Sequence, residues 1–163
     1  MRAGAALLCL TLASLALPDI AVANPDLIGQ WKCTDEDNNL EIASEIEIKA
    51  DNTMSATLTF TFFTTGQQAV VTATYLAKWR ERDGLFWDIP QMAEVLSIEE
   101  NGAPVKRPHL EKSILDALMA PPEHPMRMDI KDPEQINFHS TNPENSADPP
   151  IECLRVVNGA VSL

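Results

Sequence analysis

Polar and apolar residues alternate from Leu40 to Ala50, with Leu40, Ile42, Ile46 and Ile48 on one face and Glu41, Glu45, Glu47 and Lys49 on the other. A period of two is the signature of a strand with one buried face. Asp51-Asn52 supplies turn chemistry, and the pattern then repeats. Met54, Ala56, Leu58, Phe60 and Phe62 point one way, and Thr53, Ser55, Thr57, Thr59 and Thr61 the other. Threonine is β-branched and polar, which suits the wet face of a strand. A third strand is predicted from Ala69 to Arg82, with Val71, Ala73, Tyr75, Ala77 and Trp79 inward. Asp83-Gly84 is a strong hairpin signal, and Leu85 to Ile89 returns. Ala93 to Glu99 reads as a further strand ahead of an Asn101-Gly102 turn.

The period changes once. Pro108 to Ala120 sets Leu110, Ile114, Leu115 and Leu118 at helical spacing, and Pro121-Pro122 stops the helix. Alternation resumes at Met126, Met128 and Ile130, and Asp132-Pro133 turns the chain into Gln135 to Thr141. The stretch 141–150 is rich in Pro and Asn and reads as a loop, and Ile151 to Val157 is the last strand. The expectation is one all-β domain: an antiparallel meander of about eight or nine strands with a single short helix, closed into a barrel or sandwich.

The N-terminus has a different grammar. Arg2 is followed by an uncharged run, Ala5 to Leu17, then Pro18, then small residues at Ala21 and Ala23. This is the layout of a secretory signal cleaved after Ala23. The run is shorter than the ~20 residues needed to cross a bilayer, and the alternatives are an uncleaved anchor or a buried core helix. Leu8 before Cys9 argues against a lipid-attachment site. The expected organisation is a signal peptide at 1–23 and one domain at 24–163, in the periplasm or outside the cell, with no stable membrane anchor after cleavage.

Cleavage removes Cys9 and leaves Cys33 and Cys153. In an oxidising compartment two cysteines of one domain pair most simply with each other, the alternative being two buried thiols. A loop of about 120 residues closed this way contributes on the order of 4–5 kcal/mol in the chain-entropy treatment. The pairing also fixes a register. If the first and last strands are antiparallel neighbours with Cys33 opposite Cys153, two residues along each strand bring Trp31 opposite Arg155. The guanidinium then lies over the indole, a contact of about 0.5–2 kcal/mol.

Gly29-Gln30-Trp31 ahead of an antiparallel meander, with Arg155 in the final strand, resembles the calycin superfamily of lipocalin-like barrels. In that group a Gly-x-Trp opens the first strand and its Trp packs against an Arg from near the C-terminus at the closed end. The resemblance implies an up-and-down barrel whose closure rests on Gly29, Trp31 and Arg155. It departs from the usual pattern in placing a further hairpin between the helix and the last strand.

Charge narrows the partners. The chain holds 12 Lys and Arg against 24 Asp and Glu, a net −12, which opposes nucleic acid and anionic lipid. Catalytic and metal signatures are missing. His109, His124 and His139 stand at no metal-ligand spacing, and His139 is expected on an outward strand face beside Asn137 and Thr141. Asp35, Asp37 and Asn39 mimic the start of a calcium loop, but Leu40 stands where Gly is needed and Ile46 where Glu is needed. No nucleophile elbow or phosphate loop occurs, so the sequence implies no enzyme, cofactor or metal.

The remaining candidate is the inward stripe of Leu58, Phe60, Phe62, Tyr75 and Trp79, with Trp87 nearby. These residues either line a cavity for a small hydrophobic ligand or simply fill the core. The leading expectation is accordingly an exported barrel that binds a small hydrophobic ligand. The competing expectations are a protein-binding module, such as an inhibitor or envelope accessory factor, with a solid core, and an enzyme whose site is assembled only by the fold.

Overall fold

Alternation and left-handed turn residues together set the strand order. In this computed structural model, which describes residues 24–37, 39–145, 147–157 and 160–161, a 3-10 turn at Pro25–Leu27 leads into β1 (Gly29–Asp37), β2 (Leu40–Ile48), β3 (Thr53–Thr64), β4 (Gln67–Arg82) and β5 (Leu85–Glu100). A short β6 (Ala103–Pro104), the helix α1 (Pro108–Met119), β7 (Met126–Asp132), β8 (Gln135–Ser140), β9 (Ile151–Val157) and β10 (Ala160–Val161) follow. The predicted leader, residues 1–23, lies outside the described residues. Asp83-Gly84 has φ of 56° and 75°, and Asn101-Gly102 has 52° and 79°. Two consecutive left-handed residues give the hairpin turn whose twist matches its flanking strands.

The sheet runs β1-β2-β3-β4-β5-β7-β8-β9, and β9 pairs back with β1, so the strands close into a ring. This is an all-β, antiparallel, barrel-like fold with one helix. Closure sets Cys33 opposite Cys153 and Trp31 opposite Arg155. A disulfide joins the two cysteines across 120 residues of sequence. Pairing the first strand with the last removes the open edges that a meander otherwise exposes.

The two strands expected at Leu85–Ile89 and Ala93–Glu99 are one continuous strand, β5. Pro90 has no N–H to donate and reads as a break. In the structure Ala77 faces Pro90 while Leu76 faces Met92, and Ala73 faces Val95 while Thr72 faces Ser97. Gln91 and Leu96 are thus extra residues, and two bulges bend the strand around the proline without ending it.

Strand pairing around the ring is shortest between β5 and β7, which pair at Leu85 with Arg127 and Phe86 with Met126. Past that point α1 takes the place of a strand. Ile114 is buried against Phe60, Val71, Ala73 and Ile98, with Leu110 and Leu118 beside it. The helix runs Pro108–Met119 with Ala120 as its C-cap, in the place predicted at 108–120. Arg107 donates to both carboxylate oxygens of Glu100 at 2.6 and 2.7 Å, tying the helix entry to the tip of β5. That bond holds the Glu100 carboxyl below its ordinary range. A second core, with Trp31, Ile48, Met54, Trp79 and Ile136, lines the ring itself.

Candidate functional site

The inward positions of the ring do not pack solid. They line a partly open cavity of about 300 Å³, bounded by residues of β1, β2, β3, β4, β5, β7, β8 and β9 and by the C-terminal end of α1. Its walls are mostly apolar: Ile42, Ile46 and Ile48 from β2, Met54, Ala56 and Leu58 from β3, Ile136 and Phe138 from β8. Trp31, Cys33 and Cys153 close one side, so the disulfide is part of the wall. Ala117, Leu118, Ala120 and Pro122 overhang the other end.

The closed end is built by Arg155. Its Cζ lies 4.2 Å from the centre of the Trp31 ring. Nη1 donates to the Ile28 carbonyl and Nε to the Pro133 carbonyl, both at 2.7 Å, and Nη2 donates to the Asp26 carbonyl. Trp31 Nε1 donates to the Leu27 carbonyl at 2.9 Å. One side chain therefore staples the N-terminal turn and the β7–β8 turn across the barrel floor, with Leu27 fully buried beneath it. Gly29 has φ +142°, and a Cβ there would lie 2.6 Å from Arg155 Nη1. Glycine is required at this position by both backbone and space.

One polar pair stands inside the apolar walls. Tyr75 Oη donates to Asp88 Oδ2 at 2.6 Å. Burial first, then the hydrogen bond to Asp88, then the charge of Asp88, push the Tyr75 phenol far above its ordinary value, so it stays protonated. Asp88 Oδ1 accepts no hydrogen bond from any described residue. Ser44 and Asp35 also reach the lining. Asp35, considered above as part of a calcium loop, is a strand residue opposite Ile42. Among the described residues, no group of three or more His, Cys, Asp and Glu side chains is arranged to hold a metal.

The predicted stripe divides among three places. Leu58 and Tyr75 line the cavity. Phe60 and Phe62, ring centres 6.5 Å apart, lie in the core beneath α1. Trp79 is buried behind the wall, donating to the Lys49 carbonyl and stacked 5.9 Å from Phe86. Phe86 in turn meets Phe138 at 5.3 Å, and these two do face the cavity. Trp87 lies on the outer surface under the Arg80 guanidinium at 4.8 Å, because Phe86 and Asp88 take the inward phase of β5.

Sequence reasoning missed Asp88, Ser44 and the cavity face of Asp35. The signal for Asp88 was present: it follows Phe86 by two residues, a charge at an inward position. The three histidines are not brought together; His109 is on α1, His124 in the connection to β7 and His139 on β8. The outer face of β8 is less solvated than alternation implies. Asn137 is 7% exposed, and His139 Nε2 is buried without a partner among the described residues. No protein-family model matches the chain, and no curated protein matches it.

Proposed function

We propose that this protein is an exported, calycin-like barrel that binds a small hydrophobic ligand in its interior. The observation that carries the reading is the cavity of about 300 Å³ inside the ring, walled by aliphatic and aromatic side chains. That volume lies at the lower end of the range for small-molecule sites. A solid core, which the competing module would have, leaves no such space. Gly29, Trp31 and Arg155 meet as the calycin resemblance implies. Export is supported by the Cys33–Cys153 disulfide, since such bonds persist in oxidising compartments. No helix among the described residues is long and apolar enough to cross a membrane.

A protein-binding role has one specific observation in its favour. Leu76, Ile89, Met92 and Leu96 on β4 and β5 are 40–55% exposed, and Leu76 stands opposite Met92 in the ladder, an apolar strip of the kind a partner protein can cover.

Native mass spectrometry of the protein purified as the cell produces it separates these readings. The expected species begins at Asn24, carries an intact disulfide and retains, or takes up when offered, an apolar molecule of low mass. An intact residue 1–23 segment overturns the export proposal. A chain that refuses every apolar probe and arrives with a second polypeptide overturns the carrier proposal.

A further inference from the structure

The cavity has a sign as well as a shape, and the sign restricts the ligand. Its carboxylate lining residues are Asp35 and Asp88, and the lining includes no Lys, Arg or His. Asp88 already accepts from Tyr75 through Oδ2 and keeps Oδ1 without a donor among the described residues. Tyr75 donates its one O–H to the same carboxylate and leaves its negative charge in place.

The end of α1 adds to the same sign. Ala117, Leu118 and Ala120 bring the C-terminal turn of the helix to the cavity, the end at which a helix carries partial negative charge. No basic side chain stands in that last turn to offset it. The net charge of −12 extends the field outward, raising the local concentration of cations and lowering that of anions.

We infer that the barrel selects apolar amines: molecules with a hydrocarbon body filling the space between Met54, Phe86 and Phe138, and a protonated nitrogen donating to Asp88. This rests on the cavity reading above and goes beyond it by naming the head group. An ammonium brings hydrogen-bond donors for Asp88 Oδ1 and a positive charge opposite to its own. A fatty acid brings a second carboxylate up against that of Asp88. At ~30 Å³ for each non-hydrogen atom, the cavity accommodates about ten such atoms, the size of octylamine.

Calorimetric titration of the purified protein at pH 7 with octylamine, 1-octanol and octanoate tests the inference. The three share a chain length and differ in the head group; octylamine is fully protonated at this pH. Octylamine is expected to bind at least tenfold tighter than 1-octanol, with octanoate weakest. Asp88→Asn, which keeps an acceptor for Tyr75, should bring octylamine to within about threefold of 1-octanol. Tyr75→Phe, which keeps the Asp88 charge, should preserve the amine preference and guards against a folding defect specific to the first variant. If 1-octanol binds and octylamine binds no tighter, the amine inference falls and the hydrophobic-ligand reading stands. If an amine preference survives Asp88→Asn, it arises from Asp35 or the acidic exterior and not from Asp88, and the inference is overturned. If none of the three binds, both proposals fall.

Discussion

The guanidinium of Arg155 lies 4.2 Å over the ring of Trp31, and Trp31 stands opposite Arg155 in the β1–β9 ladder. Register and stacking are therefore one feature: the pairing that aligns the disulfide two residues away also delivers the arginine to the indole. The same side chain donates to the carbonyls of Asp26, Ile28 and Pro133. Removing it leaves those acceptors and the ring face uncovered at once. Arg155→Ala is expected to cost about 2–4 kcal/mol in urea unfolding. Arg155→Lys should recover less than half, because an ammonium cannot stack or fork in the same way.

Gly29→Ala is expected to cost about 1–3 kcal/mol, since its φ of +142° is strained for alanine and the added methyl meets Arg155 Nη1 at 2.6 Å. The steric part belongs to the pair. In an Arg155→Ala background the glycine substitution should therefore cost measurably less than in the native protein, a coupling that a double-mutant cycle reads directly.

The disulfide spans 120 residues, and both sulfurs are in the wall of the cavity. Cys33→Ala with Cys153→Ala should lower unfolding free energy by about 3–5 kcal/mol. Because Cys33 and Cys153 are 2% and 1% exposed, mild reductant should act slowly on the folded protein and rapidly once denaturant opens it.

Tyr75 is the chain's one tyrosine, so ultraviolet titration reports it without overlap. Burial, the bond to Asp88 and the Asp88 charge raise its pKa above the ordinary 10.0. The folded protein should therefore show no phenolate at pH 10–11, while the urea-unfolded chain titrates near 10. Because the folded pKa is the higher one, the stability contributed is complete below pH 10 and falls as pH rises beyond it. In Asp88→Asn the folded pKa should move down, since two of the three causes weaken or vanish.

Much of the ring was legible in the chain. Alternation at Leu40–Ile48 and Met54–Phe62 is uninterrupted enough to fix strand and face together, and the Asp-Gly and Asn-Gly turns fix the hairpins. Closure was legible because Cys33 and Cys153 lie on the first and last strands, and residues two away on each, Trp31 and Arg155, are chemically complementary. The cavity was less so. Where α1 docks depends on non-local packing, so the helical spacing of Ile114 does not reveal that Phe60 and Phe62 lie beneath it rather than in the ligand space. The bulges at Gln91 and Leu96 reset the phase of β5, which local pattern cannot follow past Pro90. Asp88 shares the phase of Phe86 two residues earlier, a signal the local pattern carries but that one charge in a five-residue strand fragment, resembling a surface residue, makes easy to pass over.

Filling the cavity should separate binding from folding. Ala56 lies in the wall and is 6% exposed. Ala56→Leu extends a side chain into open space, so it should weaken octylamine binding at least tenfold. The melting temperature should change by no more than a few degrees, as overpacking strain is relieved by the cavity itself.

The central claim, that the ligand sits inside the ring, is tested most directly by isotope-filtered nuclear Overhauser spectra of labelled protein with unlabelled octylamine. Cross-peaks from the alkyl chain to Met54, Phe86 and Phe138 are the predicted result. Cross-peaks confined to Leu76, Ile89, Met92 and Leu96 on the outer face would contradict it.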